Sequence, residues 1–361
     1  MRKDVITMVI PTYQRPELLQ RTVLSVLNQT YPHLRVCVYD NDMQTGTKTE
    51  QIMCELKEQD SRVKYERNEE NLHTYGNFNK GVNLVDTPYF SVMSDDDLLV
   101  PTFFEQAMEA FDTHPEAQVV AMDVLAVDHN FQLLAEPTLI SEQKFYPAGE
   151  GLYGSVKGTI PGSSWSGMIF NSQIASEIGG PLTDAGPFAD AGYLWHVVSR
   201  YSMVVTPGVA ALYMVHPDNM ATEVRMMPLE PHWPEWWDKM VKPVEHDDHV
   251  PAKIRKQIRQ IVYPDFKQIA RQQFAYFAAK KRPDLAKKSL DGLAACDGPS
   301  VTLSMLRTLL WVYSNVPFVK QLSRLVVNWQ HRKTAQRRAQ IHSKLKSHVA
   351  FVENLLNSSV R

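Results

Sequence analysis

The sequence predicts an α/β fold: a doubly wound, mostly parallel sheet followed by a C-terminal helical appendage. Three observations predict it. Near-continuous β-rich runs recur through the first third of the chain. Apolar stripes at helical spacing separate them. Polar side chains of ligand-binding type end those runs, where open α/β sheets bind their ligands.

Val5 to Ile10 reads as a first strand, apolar throughout as buried parallel strands are. Pro16 opens a helix carrying Leu19, Val23, Val26 and Leu27 on one face. Val36 to Tyr39 is the second strand, ending at Asp40-Asn41-Asp42. Glu50 to Leu56 is a second helix, and Val63 to Tyr65 a short third strand. A helix around Asn77 to Leu84 leads to the fourth strand, Tyr89 to Met93. Phe103 to Phe111 is helical and precedes a strand at Val119 to Met122. From Asp128 to Ser163 the period dissolves among Gly, Pro and Ser, which points to a long functional loop or an inserted hairpin. Helical signals return at Gln173 to Ile178 and Ala189 to Tyr201. Val209 to Val215 is β-like and ends at His216-Pro217, and the chain reads as wholly helical after Val250.

Net charge is −2 over 361 residues, so charge does not mark a nucleic-acid binder. The distribution is uneven: residues 301–361 hold ten Lys/Arg and one acid, Glu353. Leu309, Leu310, Val316, Leu322, Leu325 and Trp329 interleave with Lys320, Arg324, Arg332 and Lys333 there. This pattern suits a cationic amphipathic helix on an anionic membrane surface, or a helix packed on the protein with a solvated basic face. Ser343 to Val360 reads as a terminal helix able to mediate self-association into an oligomer. Cys37, Cys54 and Cys296 form no metal or redox spacing, which fits a reducing compartment. The six mostly apolar residues before Pro11 are too few for a signal-peptide core. No run reaches membrane-span length. The expected location is cytoplasmic, peripheral on the inner face of the membrane.

Ser94-Asp95-Asp96-Asp97 follows the fourth strand. Three adjacent carboxylates repel one another and resist burial unless a cation is shared among them. A divalent ion carrying a diphosphate meets that need. A turn whose last Asp caps the next helix needs one acid, not three. Thr12, Asp40 and Arg67 end the first three strands, so polar groups converge at one rim.

With those motifs in order, the chain resembles the family 2 inverting glycosyltransferases of GT-A fold. Val9-Ile10-Pro11-Thr12-Tyr13-Gln14-Arg15-Pro16 is similar to the family's opening strand and loop. Leu24 to Tyr31 resembles its first helix and turn, and Val38-Tyr39-Asp40-Asn41 its second strand with the base-binding acid. Arg67 to Leu72 with Asn77, Ser94 to Pro101, Gly179-Gly180 and Phe188 to Trp195 complete the resemblance over residues 5–220. Departures are Ser94 in place of Asp, His73 in place of Gly, and Ala189 before Asp190 in place of Glu.

The resemblance implies a catalytic domain at 1–225, its nucleotide-binding half at 1–101 and acceptor half at 102–225, with a helical region at 226–361. Pro11, Thr12, Tyr13, Arg15, Asp40, Arg67, Asn77, Asp95 and Asp96 are the expected contacts to a nucleotide-sugar donor, a UDP-sugar foremost. Asp96, Asp97 and His216 are the expected ligands of Mn2+ or Mg2+. Trp165, Ser166, Gly167 and Trp195 are expected to line the pocket of a glycan or lipid-linked acceptor. Asp190 is the expected base, with a helix N-cap as its ordinary alternative role and Asp184 as the second candidate. A nucleotidyltransferase would carry a Gly-rich phosphate loop after the first strand, and residues 11–16 hold no Gly. A non-catalytic membrane-docked scaffold would tolerate loss of the acids.

Overall fold

The structure is a computed structural model that describes residues 3–134, 139–156, 160, 165–216, 219, 232–279, 282–297, 303–305, 307, 308 and 311. The alternation of apolar runs and amphipathic stripes becomes β1 (Ile6–Thr12), α1 (Pro16–Leu27), β2 (Leu34–Asp40), α2 (Lys48–Gln59), β3 (Val63–Arg67), α3 (His73–Asn83) and β4 (Tyr89–Val92). β5 (Leu98–Leu99), α4 (Phe103–Thr113), β6 (Val119–Val127), β7 (Lys144–Tyr146) and α5 (Glu150–Val156) follow. Then come β8 (Met168–Asn171), α6 (Gln173–Ile178), α7 (Ala189–Arg200) and β9 (Met203–Met214). Three further helices are α8 (Trp233–His246), α9 (Ala252–Ala279) and α10 (Pro283–Asp297).

Among the described residues the strands form one sheet in the order β3-β2-β1-β4-β8-β6-β9-β5, with β7 paired to β9. β1 to β4 are parallel neighbours, as crossover helices require. β8 enters antiparallel between β4 and β6. β9 is longer than the sequence suggests. Its Pro207-Gly208 reads as a break, but the β6 register jumps from Ala121↔Val205 to Asp123↔Val209, so Thr206, Pro207 and Gly208 are absorbed in a bulge. Gly208 has φ +130°, a value that only glycine adopts at low cost.

The two faces of the sheet carry separate cores. Ile6, Met8, Ile10, Val36 and Val38 face α1, α2 and α4, where Leu19, Val23, Met53, Phe104 and Phe111 are buried. Val9, Tyr39, Phe90 and Phe170 face the other way, onto Phe78 of α3 and Leu194 and Val198 of α7. That second core runs on without interruption into Trp237, Val241, Ile258 and Leu290 of α8 to α10. Phe90 and Phe170 stack at 5.1 Å across the β4–β8 pair. Truncating either to Ala costs ~3–5 kcal/mol.

The segment without a period contains β7 and α5, and residues 135–138, 157–159 and 161–163 of it lie outside the described residues. The terminal helix over 343–360 and nearly all of the basic tail also lie outside them. Among the described residues no helix is long and apolar enough to cross a membrane.

Candidate active site

Parallel register builds the rim. Thr12, Asp40 and Arg67 are aligned across β1, β2 and β3, so one row of polar residues closes three strands. Asp40 is buried and accepts from the Tyr65 hydroxyl at 2.9 Å and the Asp42 N–H at 2.9 Å. Burial raises its carboxyl above the usual range, and these two donors oppose the rise. Arg67 donates to Glu50 at 3.2 Å and to the Gln44 carbonyl at 3.1 Å. Pro11 lies inside β1 opposite Tyr39, and Tyr13 stands exposed beyond it. Asn77 is buried, donates to the Tyr39 carbonyl at 2.8 Å and accepts from Asn68 at 2.8 Å. It braces the end of β2.

Two backbone positions at this rim are left-handed without being glycine: Gln14 at φ +56° and His73 at φ +57°. His73 occupies the position at which the resemblance expects Gly, and the conformation gives the reason. Its carbonyl accepts from Asn41 at 3.0 Å, which ties the start of α3 to the end of β2.

The acidic triplet divides its oxygens among three surroundings. Asp95 accepts from the Thr12 hydroxyl at 2.7 Å and from Arg15 at 3.2 Å. Burial and the charge of Asp96 push its carboxyl up to about 6 against those two donors. Asp96 Oδ2 meets Arg15 at 3.1 Å, His216 Nε2 at 3.0 Å and the Asn219 amide at 3.4 Å. Asp97 turns inward. Its oxygens accept from the Ser166 hydroxyl at 2.9 Å and the Met214 N–H at 3.1 Å. Burial, then the neighbouring Asp96 charge, raises it well above the carboxylate range. The structure therefore brings Thr12, Arg15, Asp95, Asp96 and His216 together, while Asp97 links the triplet to β9 and the turn before β8.

Among the described residues no group of three or more His, Cys, Asp or Glu is arranged to hold a metal ion. A smaller set is present. Asp96 and His216 offer one carboxylate oxygen and one imidazole nitrogen at 3.0 Å. Divalent ions that work with phosphates take one or two protein ligands and fill their shell from phosphate and water. The pair fits that demand.

Asp190 lies in the first turn of α7, and the residue at the N-cap of that helix is Phe188. Its carboxylate accepts from the Tyr75 hydroxyl at 3.3 Å and from the Ala191 N–H at 2.9 Å. Burial raises its pKa despite both donors. Aromatic rings stand close by: Tyr75 to Phe78 at 6.4 Å, Phe78 to Trp165 at 4.5 Å, Trp165 to Tyr193 at 6.4 Å. Trp165, Ser166 and Gly167 form a 3-10 turn ahead of β8. A Cβ on Gly167 would meet the Met122 carbonyl at 2.7 Å, so only glycine lets the turn lie on β6. Trp195 is set apart from these rings, edge-on to Trp237 of α8 at 5.9 Å. Asp184 is exposed and pairs with Lys239 at 2.9 Å.

Sequence reasoning missed Asn219, Tyr75, and the Asn41–Asn68 amide pair at 2.7 Å. Asn and Tyr carry no spacing signature, and only the fold brings these residues to the acids. The one available signal for Asn219 was its place three residues beyond His216.

Solved structures share this architecture. S. aureus TarS residues 1–349 in complex with UDP-GlcNAc superposes with TM-score 0.58 at 14% identity, covering 85% of this chain and 86% of that one. The mannosyltransferase PcManGT from Pyrobaculum calidifontis, in complex with GDP-Man and Mn2+, gives 0.52 at 15% identity over 96% and 85%. The fold class is GT-A. Residues 7–179 match the sequence profile of Glycosyl transferase family 2. An uncharacterized glycosyltransferase of Methanocaldococcus jannaschii is 28% identical over 138 residues, 38% of this chain and 47% of that one. The GalNAc(5)-diNAcBac-PP-undecaprenol beta-1,3-glucosyltransferase of Campylobacter jejuni is 27% identical over 111 residues, 29% and 35%. The chain thus spans about half or less of the length of these curated relatives.

Proposed function

We propose that the protein transfers a sugar from a nucleotide-diphosphate donor, a UDP-sugar foremost, to a hydroxyl of a glycan or lipid-linked acceptor, with inversion at the anomeric carbon. The observation that carries this reading is the Asp96 carboxylate. It meets Arg15 and His216 on one oxygen, beside a row of Thr12, Asp40 and Arg67. Polar groups at the carboxyl ends of parallel strands suit a nucleotide: an acid for the base or ribose, cations for phosphate.

Each residue then has a task. Asp40, held by Tyr65 and the Asp42 N–H, presents a fixed acceptor to the nucleoside. Asp95, steered by Thr12, stands beside the ribose and phosphates. Asp96 and His216 are the residues that would hold Mn2+ or Mg2+. A divalent ion bound there supplies positive charge to the diphosphate as it leaves. Asp97, engaged by Ser166 and Met214, sets the pitch of the acidic loop. Asp190 takes the proton of the acceptor hydroxyl as the anomeric bond forms. Its aromatic surroundings exclude water from that transfer, and Trp165 offers a ring face to the acceptor sugar. For the basic tail we propose contact with an anionic membrane surface, tested by liposome co-sedimentation of the full chain and of a chain lacking residues 301–361.

The function is tested by incubating the protein with UDP-, GDP- and dTDP-sugars and Mn2+ while following thermal unfolding and nucleotide release. At least one donor raises the melting temperature and yields free nucleoside diphosphate. No shift and no release with any donor contradicts the reading.

A further inference from the structure

Arg21 lies in the second turn of α1, and its guanidinium is half-buried. Among the described residues no carboxylate or carbonyl pairs with it. Burial alone lowers its pKa, with no anion working in the other direction. It shares a cavity of about 70 Å³ with Asp96, His216 and His129, walled by Leu18 and Leu98. A single water needs ~10–15 Å³ on such a measure, so the space admits a group of several atoms. The neighbouring cation differs. Arg15 is committed to Asp95 at 3.2 Å and to Asp96 at 3.1 Å.

A guanidinium drawn from water without a partner is costly, and such groups are kept where a ligand completes them. Arg presents a fork of donors that matches phosphate oxygens in pairs. The ligand class follows from the company it keeps: the cavity reaches the Asp96–His216 pair, which the proposed function gives to the donor's phosphates. We infer that Arg21 is an anion-binding residue of the donor site, its guanidinium holding the diphosphate from the α1 side. The inference rests on the glycosyl-transfer reading. When the bond from the anomeric carbon to the β-phosphate oxygen breaks, the electron pair stays on that oxygen. Arg21 is placed to share the new charge.

The test is calorimetric binding of UDP, GDP, inorganic pyrophosphate and uridine to the full chain, with EDTA and then with Mn2+. Arg21→Gln and Arg21→Lys are compared with the wild type. Wild type binds UDP or GDP, and pyrophosphate. Arg21→Gln weakens each diphosphate at least tenfold in both conditions and leaves uridine unchanged, while Arg21→Lys falls between. Equal diphosphate affinity in wild type and Arg21→Gln overturns the role of Arg21 and leaves the donor reading intact. A parallel loss of uridine binding with a lower melting temperature assigns Arg21 a structural role and also overturns it. Failure of the wild type to bind any diphosphate removes the donor reading and this inference with it.

Discussion

The two halves of the site treat their carboxylates differently. At the end of β4, Asp95 and Asp96 are crowded by cations and donors: Arg15 reaches both, His216 and Asn219 reach Asp96, and Thr12 reaches Asp95. At the start of α7, Asp190 has a phenol and one backbone N–H of its own helix, amid aromatic rings. The first surrounding sets cations and donors against the burial and mutual repulsion that raise the Asp95 carboxyl. The second gives an acid few donors, and burial raises its pKa. On the proposed reading one family of side chains serves two tasks, set by neighbours rather than by residue type.

Breaking the α7 end has the largest expected effect. Asp190→Asn lowers transfer by about 10³–10⁴ while donor affinity holds, measured by single-turnover transfer beside donor titration. Asp96→Asn lowers transfer by about 10²–10³ and also abolishes the Mn2+ dependence of donor binding. Equal losses of donor affinity in both variants would erase the contrast between the two halves.

The contrast is sharpened by an ion-pair cluster behind α7. Asp247 joins His196 at 2.8 Å and Arg200 at 2.8 Å, and Arg200 also pairs with Glu177. Burial would raise the Asp247 carboxyl, but His196, the His249 N–H and Arg200 outweigh it and hold the group well below the carboxylate range. A depressed folded pKa gives stability that is complete above the unfolded value of ~3.9 and lost as pH falls through the folded value. Asp247→Asn therefore lowers unfolding free energy by about 2 kcal/mol at neutral pH, and the gap from wild type narrows below about pH 4 and closes only below the folded value. Urea titration across pH checks it.

Tyr75→Phe removes a donor that lowers the Asp190 pKa, so the acidic limb of the pH–rate profile moves to higher pH. The rate at neutral pH drops severalfold, by roughly 1 kcal/mol in barrier. At the strand-end rim, His73→Gly keeps unfolding free energy within ~1 kcal/mol of wild type, because relief of the left-handed strain offsets the added chain entropy. His73→Val, β-branched at the same φ, loses more than that.

The strand-end rim was legible in the sequence for a physical reason. Strands buried on both faces read as near-continuous apolar runs, so the polar residues Thr12 and Asp40 mark where β1 and β2 end, whereas β3, with Lys64 and Glu66 inside it, is an edge strand whose end at Arg67 the sequence marks less sharply. β8 was not legible as an inserted antiparallel strand, because four residues carry no period and its neighbours β4 and β6 lie far off in sequence. β9 was shortened by Pro207-Gly208, which local chemistry reads as a turn and the sheet accommodates as a bulge. Within the acidic triplet, residue type alone did not reveal that Asp97 faces Ser166 and Met214 while Asp96 faces His216. Trp195 and Trp165 look alike in sequence, and packing sends one to α8 and the other to the rings near Asp190.

The central claim is that Asp96 and His216 form the cation-holding pair beneath a donor diphosphate. A manganese-edge anomalous map of crystals grown with UDP and Mn2+ tests it most directly. The account predicts one peak in coordination contact with Asp96, His216 and the diphosphate together. A peak bound to the diphosphate yet remote from both side chains would contradict it.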